Sequence, residues 1–138
     1  MFLMKRFRGL RFRYTYYRPS TNNHNGKKLS KNDIISDHDL KIHESISNID
    51  HEAWDILNGC IENPAKTHEK FNEYIKRTGN TICGKHPIGI LLGALTYANY
   101  NKSDSKSPSV NWTHYSQSSK ATKVTDSSVS YSSGYINL

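Results

Sequence analysis

Residues 81–98 read T-I-C-G-K-H-P-I-G-I-L-L-G-A-L-T-Y-A. A short turn over 81–87 passes into an apolar stretch from Pro87 to about Ala98. Proline lacks the N–H that a first helical turn leaves unused, and its φ is already helical, so the spacing predicts a helix over 88–100 with Pro87 in its first turn. The apolar stretch is about 12 residues long, too short for a bilayer, which takes about 20. Cys83 and His86 stand just ahead of it in C-x-x-H spacing. A thiol beside an imidazole at a helix N-terminus suits a metal-donor pair or an acidified thiolate. The plainer alternative is a buried cysteine with a histidine that fixes the turn. Two ligands do not complete a zinc site, which takes four, and no second Cys or His pair lies at finger spacing. Gly84, Gly89 and Gly93 do not make a phosphate loop, because Ile90 and Leu91 stand where that loop needs Lys and Ser or Thr.

Working back towards the N-terminus, Asn63-Pro64 is a cap and first-turn pair for a helix carrying Phe71, Tyr74 and Ile75 and closed by Gly79-Asn80. Asp37 to Asn48 reads as another helix through Leu40, Ile42 and Ile46, and Asp50 as the cap of a short one holding Ala53, Trp54 and Leu57, with Gly59 as its stop. Cys60 reads as packing. His24, His38, His43, His51, His68 and His114 are scattered and read as surface residues. Residues 18–31 read as a mobile polar loop. G-L-R-F-R-Y-T-Y-Y (9–17) alternates with period two and reads as a strand. Towards the C-terminus, 101–109 reads as a polar loop, and 110–117 and 129–138 as strands separated by about ten residues. On the first of these, Val110, Trp112 and His114 share one side. By composition the Ser-rich end equally suits disorder. The tally expected is three strands and four helices.

The charge is segregated. Of 19 Lys and Arg, nine precede Asp33, where no acidic residue stands; the rest of the chain has ten basic and twelve acidic residues. A nucleic-acid role would therefore rest on residues 5–31 alone, above all Arg6, Arg8, Arg11 and Arg13 interleaved with aromatics. A strand whose aromatics enter a core and whose arginines face water accounts for the same residues. At 138 residues, with 35% hydrophobic residues, the chain holds one domain at most and a small core. Two cysteines exclude a disulfide scaffold. The start, M-F-L-M-K-R-F-R, lacks the apolar region of about 7–15 residues that a secretory signal carries, so the chain reads as soluble and intracellular with reduced thiols.

T-I-C-G-K-H-P-I-G (81–89) with its apolar helix resembles the Memo family (mediator of ErbB-driven cell motility). Three further blocks agree in order: G-L-R-F-R-Y-T-Y-Y at 9–17, the stretch from Asn111 to Ser119 ending Y-S-Q-S-S, and D-S-S-V-S-Y at 126–131 with Gly134. The resemblance covers 9–138, with residues 1–8 outside it and an insertion at about 19–36. It implies an α/β fold, the C-terminal part of a domain similar to the class III extradiol dioxygenases, with a central sheet flanked by helices. It implies a metal-binding, copper or iron, redox or signalling protein linked to cell motility and the cytoskeleton, cytoplasmic and also nuclear, with protein partners and no membrane association. Dioxygenase activity is not part of that expectation. The family's cleft cysteine falls on Cys83, and His86 lines the same cleft. The family's D-F-C-H-W-G stretch has no counterpart before Gly9, and the histidines of its N-terminal half are absent. The expectation is thus a C-terminal fragment that lacks most metal ligands and binds metal weakly. The alternatives are half of a dioxygenase-like enzyme completed by another chain, and the basic nucleic-acid module.

Overall fold

A single unbroken helix, α1 (Ile42–Asn58), stands where the sequence suggested two. The computed structural model describes residues 15–21, 25–100 and 109–137. Ile42, Ile46, Ile49, Ala53 and Leu57 form one buried stripe along α1, and no Gly or Pro interrupts it. Burying one isoleucine stabilises by about 1.5–3 kcal/mol, whereas an N-cap is worth about 1 kcal/mol. Continuing the stripe therefore outweighs using Asp50 as a cap, and Asp50 is buried in mid-helix. The helix begins five residues later than Asp37. Glu44 accepts from the Lys41 backbone N–H at 2.9 Å, and Leu40 is held outside it by its N–H to Pro19 O, 2.9 Å.

Helix α2 (Pro64–Thr78) starts and stops where its residues dictate. The Asn63 side chain accepts from Lys66 N at 2.9 Å. Gly79 closes the helix at φ 62°, donating to Ile75 O, a left-handed conformation that suits glycine. Helix α3 (Lys85–Tyr100) begins three residues before Ile88, which places Pro87 in its first turn. Ile88, Leu92 and Leu95 are buried against α1 and α2 together with Ile49, Leu57, Phe71 and Tyr74. Three helices are thus present among the described residues, not four. None is long and apolar enough to cross a membrane.

Four strands, not three, form two separate two-stranded antiparallel sheets among the described residues, so these residues do not share one central sheet. β1 (Tyr16–Tyr17) pairs with β2 (Lys27–Lys28). The stretch expected to be a mobile loop is therefore ordered in part: Leu29 N donates to Thr15 O at 2.9 Å, and Leu29 is buried with Tyr17, Ile42 and Ile46. The rest of the strand expected over 9–17, up to residue 14, lies outside the described residues. β3 (Ser109–Gln117) pairs with β4 (Ser130–Asn137), so the Ser-rich end forms a ribbon. A bulge between Trp112 and His114 leaves Thr113 without an opposite partner and resets the alternation. Trp112 lies face to face on Trp54 of α1, ring centroids 4.6 Å apart, and beyond the bulge Tyr115 takes the α1-facing side in place of His114. On β4 the small residues Ser130, Ser132 and Gly134 are buried while Tyr131 and Tyr135 stay exposed.

Candidate functional site

Ile82 decides how the turn ahead of α3 presents its chemistry. It is buried in the helical core, and its carbonyl accepts from Lys85 N at 3.1 Å while Gly84 O accepts from Ile88 N at 2.9 Å. The turn is pinned from within, and the next residue, Cys83, is exposed. The buried-cysteine alternative is thereby removed for Cys83. It describes Cys60 instead, which lies in the core and whose thiol is pushed up by burial.

His86, also exposed, lies in the first turn of α3 and lines a groove of about 540 Å³ between α2 and α3, with His68, Asn72, Lys76 and Lys85 on its rims and Phe71 and Ile75 in its wall. Cys83 is not part of that groove. His68 lines the same groove as His86, although it looked like an isolated surface residue in the sequence. The link lies in two separated helices meeting, and no local spacing carries it. Among the described residues no three His, Cys, Asp or Glu side chains converge as a metal group.

Two of the other histidines, His51 and His43, have local contacts. His51 lies against Trp54 and Tyr115, with ring centroids 4.6 and 4.8 Å away, and its Nδ1 stands 2.8 Å from Ser47 O. The His43 carbonyl accepts from Gln117 Nε2 at 2.9 Å. His38 and His114 are exposed, and His24 lies outside the described residues.

Between α1 and the β3–β4 ribbon runs a polar seam that the sequence did not suggest. The Tyr115 hydroxyl donates to Asp50 Oδ2 at 2.9 Å and accepts from Gln117 Nε2 at 2.9 Å. Burial and the neighbouring Asp50 push the Tyr115 hydroxyl up to about 12. A second polar cluster joins Arg18 and Arg77 to the Glu52 carboxylate. Arg18 is 2% exposed, and burial, with the charge of Arg77, lowers its pKa. Arg18 therefore adds nothing to an exposed basic surface. Arg6, Arg8, Arg11 and Arg13 lie outside the described residues.

Residues 8–135 match the family described as Memo-like protein. The chain is 35% identical to the MEMO1 family protein MHO1 of Saccharomyces cerevisiae, over 94% of its own length and 40% of that protein. It is 38% identical to a MEMO1 family protein of Schizosaccharomyces pombe, over 89% of its length and 36% of that protein. Against human Protein MEMO1 the identity is 33%, over 94% and 35%. The chain thus spans between a third and two-fifths of the length of these relatives. With the match covering all but a few terminal residues, the chain belongs to the Memo family.

Proposed function

We propose that this chain supplies the thiol-bearing part of a Memo-type metal site, within a domain of the class III extradiol dioxygenase-like kind. Its role there is to present Cys83, with His86 close by in sequence, towards copper or iron. The observation that carries the reading is the exposed Cys83 on a turn anchored by the buried Ile82. A soft thiolate suits copper(I), and imidazole suits copper or iron. The described residues bring no third donor to these two, so they fit such an ion only as part of a larger donor set. A bound copper or iron ion would supply one-electron redox chemistry. The chain's own residues do something simpler: Ile82 fixes the turn, and Cys83 offers a donor sulfur. The role proposed for the whole protein is redox or signalling work tied to cell motility and the cytoskeleton, in the cytoplasm and nucleus, through protein partners.

The test is a copper(I) titration of the chain against a chromophoric chelator. Replacing outer groups that merely support a metal ligand costs about 10–100-fold in affinity. Cys83→Ala is therefore expected to weaken binding about tenfold or more, and His86→Ala to weaken it less. Unchanged affinity in Cys83→Ala would contradict the proposal.

A further inference from the structure

The groove between α2 and α3 has the lining of an anion site. Its polar residues are Lys76, Lys85, His68, His86 and Asn72, and no carboxylate lines it, although Glu69 and Glu73 are exposed elsewhere on α2. Helical spacing accounts for the grouping. His68, Asn72 and Lys76 recur every four residues along one face of α2, and His86, Gly89 and Ile90 stand at i, i+3 and i+4 on one face of α3. The turn over 79–84 brings Lys76, near the end of α2, into the same groove as Lys85 at the start of α3. His68 reaches across to α3, its Nε2 only 3.5 Å from where a Cβ on Gly89 would stand. Among the described residues no side-chain hydrogen bond or ion pair engages Lys76, Lys85, His68 or His86. The C-terminal end of α2 favours a cation at Lys76, but Lys85 stands at the positive end of α3, where acidic residues are preferred and none is present in the first turn. A bound anion relieves that unfavourable placement. The lysines disfavour a cation in the groove, and the two imidazoles have no third donor there. Phe71 and Ile75 form an apolar wall, and Ile90, 75% exposed, continues it on α3.

We infer that this groove binds a small soluble phosphate monoester with a short aliphatic body. Its phosphate lies between Lys76 and Lys85, since an ammonium group binds phosphate as a point charge. The His68 and His86 rings and the Asn72 amide offer further N–H donors to the phosphate oxygens. The aliphatic body lies along Ile75 and Ile90. The groove volume of about 540 Å³ falls within the range of about 300–1,000 Å³ usual for small-molecule sites. The inference goes beyond the metal reading and does not depend on it, because Cys83 does not line the groove.

The test is calorimetric titration of the full chain, in metal-free buffer, with inorganic phosphate and with hexyl phosphate. Hexyl phosphate is expected to bind about tenfold or more tighter, because its methylenes leave water against the apolar wall. Lys76→Gln and Lys85→Gln are each expected to weaken both probes about fivefold, as loss of an exposed charge pair does. Ile90→Ser should narrow the gap between the probes and leave inorganic phosphate unchanged. Lys70→Gln, on α2 but outside the groove, should leave both affinities unchanged, which separates a site from attraction to the net charge of the chain. All four positions are exposed, so the folded chain is what each titration reads. Four results would overturn the inference: no binding of either probe by the wild type, equal affinity for the two probes, losses in Lys70→Gln equal to those in Lys76→Gln and Lys85→Gln, or binding seen only with vesicles containing phosphatidic acid. The last would assign the groove to a lipid headgroup at a membrane surface.

Discussion

Tyr115 ties the β3–β4 ribbon to α1 through its hydroxyl. Its neighbour in the fold, Asp50, lies 65 residues away, and the bulge after Trp112 puts Tyr115, not His114, on the side facing α1. Nothing in simple alternation announces a bulge. Its consequence can be measured by pH. The hydroxyl is pushed from an ordinary 10.0 to about 12 in the folded chain, so the folded state holds the proton more tightly than the unfolded state. The contribution is fully present below 10 and is lost as pH rises through about 12. A denaturation series is expected to show stability falling over that window. Tyr115→Phe should flatten the fall while lowering stability at neutral pH, because Asp50 loses a donor. An identical alkaline slope in the variant would contradict this placement. The place of Cys83 and His86 at the turn into α3 was legible, by contrast, because that turn is signalled by adjacent residues and needs no long-range contact.

The elements that were read well have their signals in adjacent residues. Asn63-Pro64 and Gly79 delimit α2 by cap chemistry and a left-handed glycine, both local effects. α1 was misread because a local signal, a cap-like Asp50, competed with a stripe running from Ile42 to Leu57, and burial won. The short pairing of β1 with β2 was missed because Lys27 and Lys28 are both exposed and show no alternation. The ribbon was read in outline, but its packing depends on a cross-strand pair. Gly134 lies opposite Trp112, and a Cβ on it would stand 2.8 Å from Asn111 O and 2.9 Å from Trp112 Cε3. Added volume in a packed site costs about 1–3 kcal/mol. Gly134→Ala is expected to lower the urea midpoint correspondingly, because Trp112 must leave its stack on Trp54. An unchanged midpoint would show that the stack is not held against β4.

At the scale of the molecule, charge and apolar surface are distributed for different ends. The net charge of +7 comes from the N-terminal stretch, and part of that stretch, Arg18, is consumed internally by Glu52. α3 leaves Ile90 exposed, and the turn before it carries the exposed Cys83. The described residues bring no third donor to Cys83 and His86, so added polypeptide that carries donors is expected to tighten metal binding. The most direct measurement is the copper(I) affinity of the chain alone and with the unmatched part of the Saccharomyces cerevisiae relative bound, each as wild type and Cys83→Ala. The expected result is tighter binding by about tenfold or more when that polypeptide is present, as added ligands and supporting groups contribute, with most of the gain lost in Cys83→Ala. Equal affinity with and without the second polypeptide, or a gain that survives Cys83→Ala, would contradict the proposal that Cys83 serves a metal site completed by further donors.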